Sequence, residues 1–382
     1  MMQYASLGEL GVMVLDCEHR TPSPAPAGHP YVAIPDIQQG RVVLETTRRI
    51  TDEDLLDWTR RTKPRAGDIL VTRRGRVGDT APIPTDDCAI GQNLVILRSD
   101  GTVIDQSFLR WATRGPAWQS EVDRLINVGA VFSSLNVGDI GKMRIPVLPL
   151  PEQQAIAEVL GALDDKIAAN RALVATADAL ARAFTNECLA DSTTTQLCDL
   201  ATITMGSSPK GTSYNESGEG VVLYQGMKDF GIRSPLPRVW TTEPGRLAHA
   251  GDILMSVRAP VGTLNRATEE CCIGRGLASL TAHQPNALFH LLLGQQTLFA
   301  PFNGDGTIFG SINKRQLHAL PVRIPSAGLT ELEAKTAPLE AQVASALSES
   351  ATLAALRDTL LPALMDGTLR VKDAEKTVSE AL

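Results

Sequence analysis

The chain has 382 residues, of which 43% are apolar and 21% are charged, and its formal net charge is −7. This length predicts two or three domains. No apolar run approaches the ~18 residues of a membrane-spanning helix. The six cysteines form no CxxC pair and no signal peptide opens the chain, which predicts reduced thiols in a cytoplasmic protein. The net negative charge lies in residues 151–195 and 327–382. The overall charge therefore does not exclude nucleic acid as a partner of the remaining segments.

The first globular segment is predicted to span residues 1–150, where short β-like runs alternate with turn residues and a helical stretch is predicted near 108–125. This mixture predicts an α+β domain. Residues 60–76 hold seven basic residues and one acidic residue, which predicts a local basic patch. Arginine binds phosphates and guanine edges, whereas a solvated charged face is the alternative. The candidate nucleic-acid contacts are Lys63, Arg65, Arg73, Arg74 and Arg76.

A long helix is predicted from residue 152 to residue 189, because apolar residues recur there at alternating spacings of four and three. It would be about 57 Å long at ~1.5 Å per residue. That length favours a coiled coil over an ordinary amphipathic helix. Its one polar seam residue, Asn170, is of the kind that can fix register and partner number. The predicted interface residues are Ile156, Leu160, Leu163, Ile167, Asn170, Val174 and Phe184.

The second globular segment is predicted to span residues 196–326 and again mixes short β-like runs with turns. A helical stretch is predicted near 288–298, and residues 205–220 are predicted to form an exposed loop. The candidate nucleic-acid contacts are Lys210, Tyr214, Gln225, Lys228, Arg258, Lys314 and Arg315. For each of them a solvated surface position is the alternative.

A second long helix is predicted from residue 329 to residue 365, within a segment that ends at residue 370. Its heptad pattern is weaker, and Pro338 and Pro362 predict kinks or breaks. Two long helices with matching apolar stripes predict an antiparallel coiled coil. Residues 371–382 are expected to fray. The predicted interface residues are Leu339, Val343, Leu353, Leu356 and Leu360.

The chain also contains an internal repeat. Several short strings recur in the same order at a lag that drifts only from 184 to 177 residues, which argues against chance. The sequence therefore predicts a duplicated unit of globular domain and helix. The matching stretches are 66–70 with 250–254, 88–91 with the CCIG ending at residue 274, 129–136 with 306–313, and 144–146 with 323–325.

Motifs for catalysis are missing from the sequence. It has no G-x-x-x-x-G-K-[ST] phosphate loop, no complete dinucleotide fingerprint and no Asn-Pro-Pro-aromatic tetrapeptide of an adenine methyltransferase. Asp68 and Asp252 occupy equivalent positions in the repeat, and a turn residue is favoured there over a catalytic carboxylate. The six histidines are scattered, so no metal site is predicted. The residues favour binding rather than catalysis.

The string LPEQQAIAEVLGALDDKIAANRAL at 150–173 resembles the central helix of the specificity subunit of Type I restriction-modification systems. GDILMSVRAPVG, CCIGRGL and LLPALMDGTLRV in the second half are similar to that family too. The resemblance implies two α+β target-recognition domains, residues 1–150 and 196–326, each reading half of a split DNA site. It also implies spacer helices at 151–195 and 327–370, paired antiparallel under a pseudo-twofold axis.

The same resemblance implies partners for this chain. They are double-stranded DNA, two adenine-N6 methyltransferase subunits and ATP-driven translocase/endonuclease subunits. S-adenosylmethionine, ATP and Mg are then expected on the partners, with no cofactor on this chain. Two alternatives stay open at this stage: a stand-alone DNA-modifying enzyme that uses Asp68 and Asp252, and a scaffold with degenerate recognition domains.

Overall fold

The computed structural model describes residues 3–128, 133–304 and 310–381. The chain divides into two units, one made of Met1–Ala168 with Ser350–Leu382 and the other of Ala169–Glu349. Each unit therefore combines one globular segment with part of each long helix. Both contain sheets and helices, so the α+β prediction is confirmed. The predicted domain limits at 150, 195, 326 and 370 stay predictions.

The first globular segment, residues 3–147 in the structure, is built from short strands. Its main sheet has the antiparallel order β2-β10-β7-β8, and a second sheet has the order β6-β3-β9 with β3 and β9 parallel. The strands are β1 (Gln3–Ser6), β2 (Val12–Asp16), β3 (His29–Val32), β4 (Ile37–Gln38), β5 (Arg41–Val42), β6 (Arg48–Ile50), β7 (Ile69–Thr72), β8 (Thr80–Pro82), β9 (Ala89–Ile90), β10 (Leu94–Ser99), β11 (Asn127–Val128), β12 (Ser133–Ser134) and β13 (Arg144–Val147).

The helices of this segment are α1 (Asp52–Trp58), α2 (Gln106–Ala112), α3 (Pro116–Leu125) and α4 (Val137–Ile140). The single stretch predicted near 108–125 is thus two helices. The division follows from local sequence, because Gly115 precedes a proline at the first position of α3, where a missing N–H costs nothing. Trp111 and Trp118, one on each helix, are buried in the same core.

Helix α5 (Leu150–Cys188) is followed by the second globular segment, residues 192–325. Its strands are β14 (Ser192–Gln196), β15 (Thr202–Met205), β16 (Tyr214–Asn215), β17 (Val221–Tyr224), β18 (Trp240–Thr241), β19 (Leu247–Ala248), β20 (Ile253–Ser256), β21 (Leu264–Arg266), β22 (Cys271–Ile273), β23 (Leu277–Thr281) and β24 (Pro321–Pro325). Its helices are α6 (Leu197–Leu200), α7 (Pro285–Gly294) and α8 (Lys314–His318), and they are followed by α9 (Thr330–Met365) and α10 (Val371–Ala381).

The second segment repeats the sheets of the first. The order β15-β23-β20-β21 matches β2-β10-β7-β8, the pair β14-β24 matches β1-β13, and β17 and β22 are parallel like β3 and β9. Gly78 and Gly262 also match. Both have positive φ, and a Cβ at either would lie within 2.5 Å of a neighbouring side chain. The predicted duplication is therefore confirmed, although its strings at 129–132 and 306–309 lie outside the described residues.

The two long helices run antiparallel within each unit. In the first unit Asp164 of α5 is ion-paired with Arg357 of α9 at 2.5 Å. In the second unit the Asn170 amide donates to Glu349 at 2.7 Å. Side chains of both helices share apolar cores in each unit, as the heptad pattern predicts.

Two expectations, a break in the second helix at Pro338 or Pro362 and a frayed tail, are wrong, whereas the kinks stay a prediction. Helix α9 continues through Pro338, where the carbonyl that loses its intrahelical partner belongs to Ala334. Both residues are exposed, so water can bind that carbonyl. Residues 371–381 form α10 rather than a frayed tail, because Ala374 and Val378 are buried in the core of the first unit.

Candidate nucleic-acid interface

Two of the three arginines in the basic turn between β7 and β8 are bonded to other parts of the fold. The Arg73 Nε donates to the Leu135 carbonyl at 3.1 Å, and its side chain is half-buried. Arg76 donates to the Ile34 carbonyl at 3.0 Å and is ion-paired with Asp79 at 3.1 Å. These two guanidinium groups fasten the turn to neighbouring loops.

Arg74 lies at the exposed point of this turn. Its backbone forms an antiparallel bridge with Ser134, while its guanidinium makes no hydrogen bond or ion pair with any described residue. The predicted contacts Lys63 and Arg65 are also exposed, on the loop that leads into β7. Of the three arginines in this turn, Arg74 is thus the best placed to bind an external phosphate.

The second segment has a matching turn after β20. Arg258 is exposed, and its backbone forms an antiparallel bridge with Ser311, as Arg74 does with Ser134. Each of these arginines lies four residues after one of the matching stretches 66–70 and 250–254, and the structure gives both the same backbone setting.

A cleft lies beside the parallel strand pair of the first segment. It has a volume of about 380 Å³. Residues of three loops line it together with residues of two strands. None of its residues was predicted to bind. They include Tyr31, Asp36, Arg48, Gln92 and Asn93.

A cleft of about 250 Å³ occupies the corresponding region of the second segment. It is lined by the predicted contacts Gln225 and Lys228, and also by Asp229 and Arg238. Arg238 was missed by the sequence analysis. It is ion-paired with Asp229 at 2.5 Å and donates to the Lys228 carbonyl at 3.0 Å.

The other predicted contacts of the second segment lie elsewhere. Lys210 is exposed, and the nearby Tyr214 hydroxyl donates to the Pro209 carbonyl at 3.1 Å. Lys314 and Arg315 are exposed on α8, where they line a separate groove. Among the described residues, the clefts thus bring together Gln225 and Lys228 but do not gather the whole predicted set.

Asp68 and Asp252 are structural residues. Asp68 is 3% exposed and accepts from the Arg98 Nε at 2.7 Å. Asp252 is 5% exposed and accepts from the Ser279 hydroxyl at 2.6 Å. Each also accepts a backbone N–H three residues upstream, from Arg65 and His249 respectively. Their oxygens are satisfied inside the fold, which removes the basis for a catalytic role.

One group of possible metal ligands escaped the sequence analysis. Ligand atoms of Asp16, Cys17 and His19 lie within 4.8 Å of one another. However, burial raises the pKa of the Cys17 thiol, which disfavours the thiolate that a metal needs. Asp16 is already ion-paired with Arg61 at 3.2 Å. The group is better explained as a loop anchor.

Most of the predicted interface residues on the two long helices are buried within this chain. In the first unit, Leu163 and Leu353 are at most 1% exposed and share one core. In the second unit, Val174 and Val343 are packed together. Phe184 packs instead with residues of α7, and Lys335 lies over its ring. The other predicted residues in the first-unit core are Ile156, Leu160, Ile167, Leu356 and Leu360, and Leu339 packs beside Val343.

Buried polar contacts from the long helices to the globular segments were also missed. The Gln153 side chain of α5 accepts from the Asp105 backbone at the start of α2 at 2.8 Å. The Glu333 side chain of α9 accepts from the Asn286 and Ala287 backbones at 2.9 and 2.7 Å, at the start of α7. Glu333 thus caps the N-terminus of α7, whereas Gln153 holds Asp105, the N-cap residue of α2, whose own side chain accepts from the Phe108 N–H.

Charged clusters reinforce these contacts in each unit. Asp164 of α5 is bonded to Arg110 of α2, and burial lowers the pKa of that guanidinium. In the second unit Glu340 of α9 lies 3.1 Å from Arg233 and 2.9 Å from His290. Burial raises the pKa of the Glu340 carboxyl, but the His290 hydrogen bond and nearby arginines outweigh it and leave that pKa lowered.

Comparison with known proteins agrees with this architecture. Residues 24–176 match the family model of the Type I restriction modification DNA specificity domain. The protein named "Putative type I restriction enzyme MjaX specificity subunit" from Methanocaldococcus jannaschii is 29% identical over 310 residues, which cover 74% of this chain and 72% of that protein. Among the described residues, no helix has the length and apolar character needed to cross a membrane.

A solved structure shows the same fold. The S subunit of a Type I restriction-modification system from M. genitalium aligns over 96% of both chains with a TM-score of 0.64 and 16% identity. The HsdS subunit from Thermoanaerobacter tengcongensis aligns over 96% of this chain at 25% identity, with a TM-score of 0.38. The fold, with its duplicated sheets, is thus that of the solved S subunit from M. genitalium. The chain thus resembles specificity subunits of Type I restriction-modification systems, with a family match over residues 24–176 and a 29% identical relative over 74% of its length.

Proposed function

We propose that the chain reads a DNA site in two parts, with one globular segment on each half. The duplication carries this proposal. The family match covers residues 24–176, yet the second segment has the same sheet order and the same exposed arginine after the corresponding strand. Two copies of one binding surface with different side chains suit two half-sites of different sequence.

The long helices are proposed to bind the methyltransferase subunits. Exposed residues of α5 between 168 and 180 are alanine, leucine and threonine, and Leu173 and Leu180 are 40% and 41% exposed. On α9, the exposed residues from 336 to 348 are likewise uncharged. Solvated helices usually carry charges on such faces, so uncharged ones favour contact with another protein. The buried apolar residues between α5 and α9 hold these two helices together instead.

The helices are further proposed to set the spacing between the half-sites. Helix α5 has 39 residues and is about 58 Å long at ~1.5 Å per residue. Adding four residues, or ~6 Å, to both α5 and α9 would lengthen the preferred gap by about one to two base pairs at ~3.4 Å each. Both half-sites would stay unchanged. An unchanged gap with full activity would contradict this role.

The partners supply the chemistry in this proposal. Two adenine-N6 methyltransferase subunits would hold S-adenosylmethionine, and translocase/endonuclease subunits would use ATP and Mg. The test is to express this chain with its methyltransferase in a host without other methylation and to sequence the methylated adenines. A two-part motif with a fixed unread gap is expected. A continuous motif, or methylation that does not depend on this chain, would contradict the proposal.

A further inference from the structure

Gln92 and Arg275 occupy one matched position in the two globular segments. Each is the second residue after a strand of a parallel pair, β9 in the first segment and β22 in the second. The flanking sequences are Ile-Gly-Gln-Asn-Leu and Ile-Gly-Arg-Gly-Leu. Both side chains are exposed.

A matched hydrogen bond joins each turn to the neighbouring strand of its parallel pair. The Gly91 N–H donates to the Val32 carbonyl at 2.7 Å, and the Gly274 N–H donates to the Tyr224 carbonyl at 2.8 Å. The glycine matters in both turns, because a Cβ at either position would lie 3.0 Å from backbone atoms. The turn before each exposed side chain is therefore held in the same way.

Matched hydrogen bonds also join both turns to the arginine turns. The Arg73 N–H donates to the Asn93 carbonyl at 2.8 Å, and the Val257 N–H donates to the Gly276 carbonyl at 2.9 Å. In each segment the residue after this donor is the exposed arginine of the basic turn. The two exposed side chains of each segment thus lie on directly bonded backbones.

The side chains at the matched position are available for contact. Within the described residues, Gln92 makes one weak side-chain hydrogen bond, from its Nε2 to the Thr21 hydroxyl at 3.3 Å, and it lines the 380 Å³ cleft. The Arg275 guanidinium makes no hydrogen bond or ion pair with the described part of the chain. Neither side chain is needed to hold the turn that carries it.

The pair Arg74 and Arg258 differs from the pair Gln92 and Arg275 in one respect. Arg74 and Arg258 are the same residue in both segments, which suits a phosphate contact that carries no sequence information. Gln92 and Arg275 differ in hydrogen-bond pattern, which suits a position that distinguishes bases. A glutamine amide pairs with the N6 and N7 edge of adenine, whereas a guanidinium pairs with the O6 and N7 edge of guanine.

From this contrast we infer that Gln92 and Arg275 each read one base in the half-site of their own segment, Gln92 an adenine and Arg275 a guanine. The inference rests on the proposed two-part recognition and assigns residues to it. Neither residue was among the contacts predicted from the sequence.

The test is to express Gln92→Arg and Arg275→Gln separately with the methyltransferase and to sequence the methylated adenines. Gln92→Arg is expected to change one position of one half-site from adenine to guanine. Arg275→Gln is expected to change one position of the other half-site from guanine to adenine. The new base should be preferred over the original one by about tenfold or more in each case. Gln119→Arg, which adds the same charge at an exposed position of α3, should leave the motif unchanged.

Truncated side chains keep the test decisive if a new arginine impairs folding. Gln92→Ala and Arg275→Ala should each lose base preference at that same single position in binding to a randomised DNA pool. A wild-type two-part motif that survives all four changes at Gln92 and Arg275 would overturn this inference alone. A wild-type chain that yields no two-part motif would overturn the proposed function as well.

Discussion

Arg74 and Arg258 share one backbone setting: each forms an antiparallel bridge with a serine, Ser134 in one segment and Ser311 in the other. If each binds a phosphate, Arg74→Ala and Arg258→Ala should each reduce the slope of log K against log salt by about 0.9. DNA binding by the purified complex at several salt concentrations measures this. Arg370→Ala, immediately before α10, removes an exposed arginine elsewhere and should leave the slope unchanged.

Arg73 and Arg76 should behave differently from Arg74, because their guanidinium groups bond to backbone carbonyls of this chain. Replacing all three with alanine would therefore confound DNA contact with loop stability. The single change Arg74→Ala avoids this, and unchanged affinity together with an unchanged salt slope would exclude Arg74 from the interface.

The seam of the helices should matter for folding. Leu163 is fully buried, so Leu163→Ala is expected to lower the free energy of unfolding by about 2–5 kcal/mol through lost contacts and a residual cavity. Leu173→Ala, at an exposed position of the same helix, should change it by about 0.5 kcal/mol or less. Denaturant unfolding of both variants measures the difference, and equal effects would contradict the burial of the seam.

The exposed face of α5 should matter for assembly. Leu173→Asp with Leu180→Asp places two charges on the face proposed to bind a methyltransferase, which should prevent co-purification while unfolding stays close to wild type. Leu56→Asp puts a charge at a residue that is 73% exposed on α1 and serves as the control. If the double variant still assembles fully, the methyltransferase binds elsewhere.

Glu340 should make the second unit sensitive to acid. Burial raises its pKa, but the His290 hydrogen bond and the nearby Arg233 and Arg266 bring it below the ordinary value of 4.5. A carboxyl with a lowered pKa stabilises the fold above its unfolded pKa, and this stabilisation is lost as pH falls through the folded pKa. Wild type should therefore be more stable than Glu340→Gln at pH 7.

The difference in the free energy of unfolding between wild type and Glu340→Gln should shrink as the pH falls below about 4.5. Denaturant unfolding between pH 3 and pH 7 follows it. Asp165→Asn, at an exposed carboxyl of α5, should show no comparable loss at pH 7. A difference that stays constant across this range would mean that the Glu340 charge adds no stability.

The long helices and the duplication could be predicted from the sequence, because heptad spacing and recurring strings are local in the chain. The continuity of α9 at Pro338 could not be predicted, since it depends on side chains such as Val343 packing against α5. The helix at residues 371–381 likewise depends on the burial of Ala374 and Val378 against residues that are distant in the sequence.

The candidate interface was only partly visible in the sequence. Clustered arginines marked the basic turn, but sequence does not reveal which guanidinium groups bond to their own fold, so Arg73 and Arg76 looked equivalent to Arg74. Arg48 and Arg238 were missed because both lie outside the basic stretch at 60–76 and reach their clefts through strand pairing and loop packing. The contacts of Gln153 and Glu333 were missed for the same reason.

The most direct test of two-part recognition replaces residues 192–325 with a copy of residues 3–147, so that both segments carry the first reading surface. Adenines methylated by this chimaera with its methyltransferase are then sequenced and compared with those of the wild type. If each segment reads its own half, the new site should contain the first half-site twice and lose the second. A site that still contains the second half-site would contradict the assignment of one half-site to each segment.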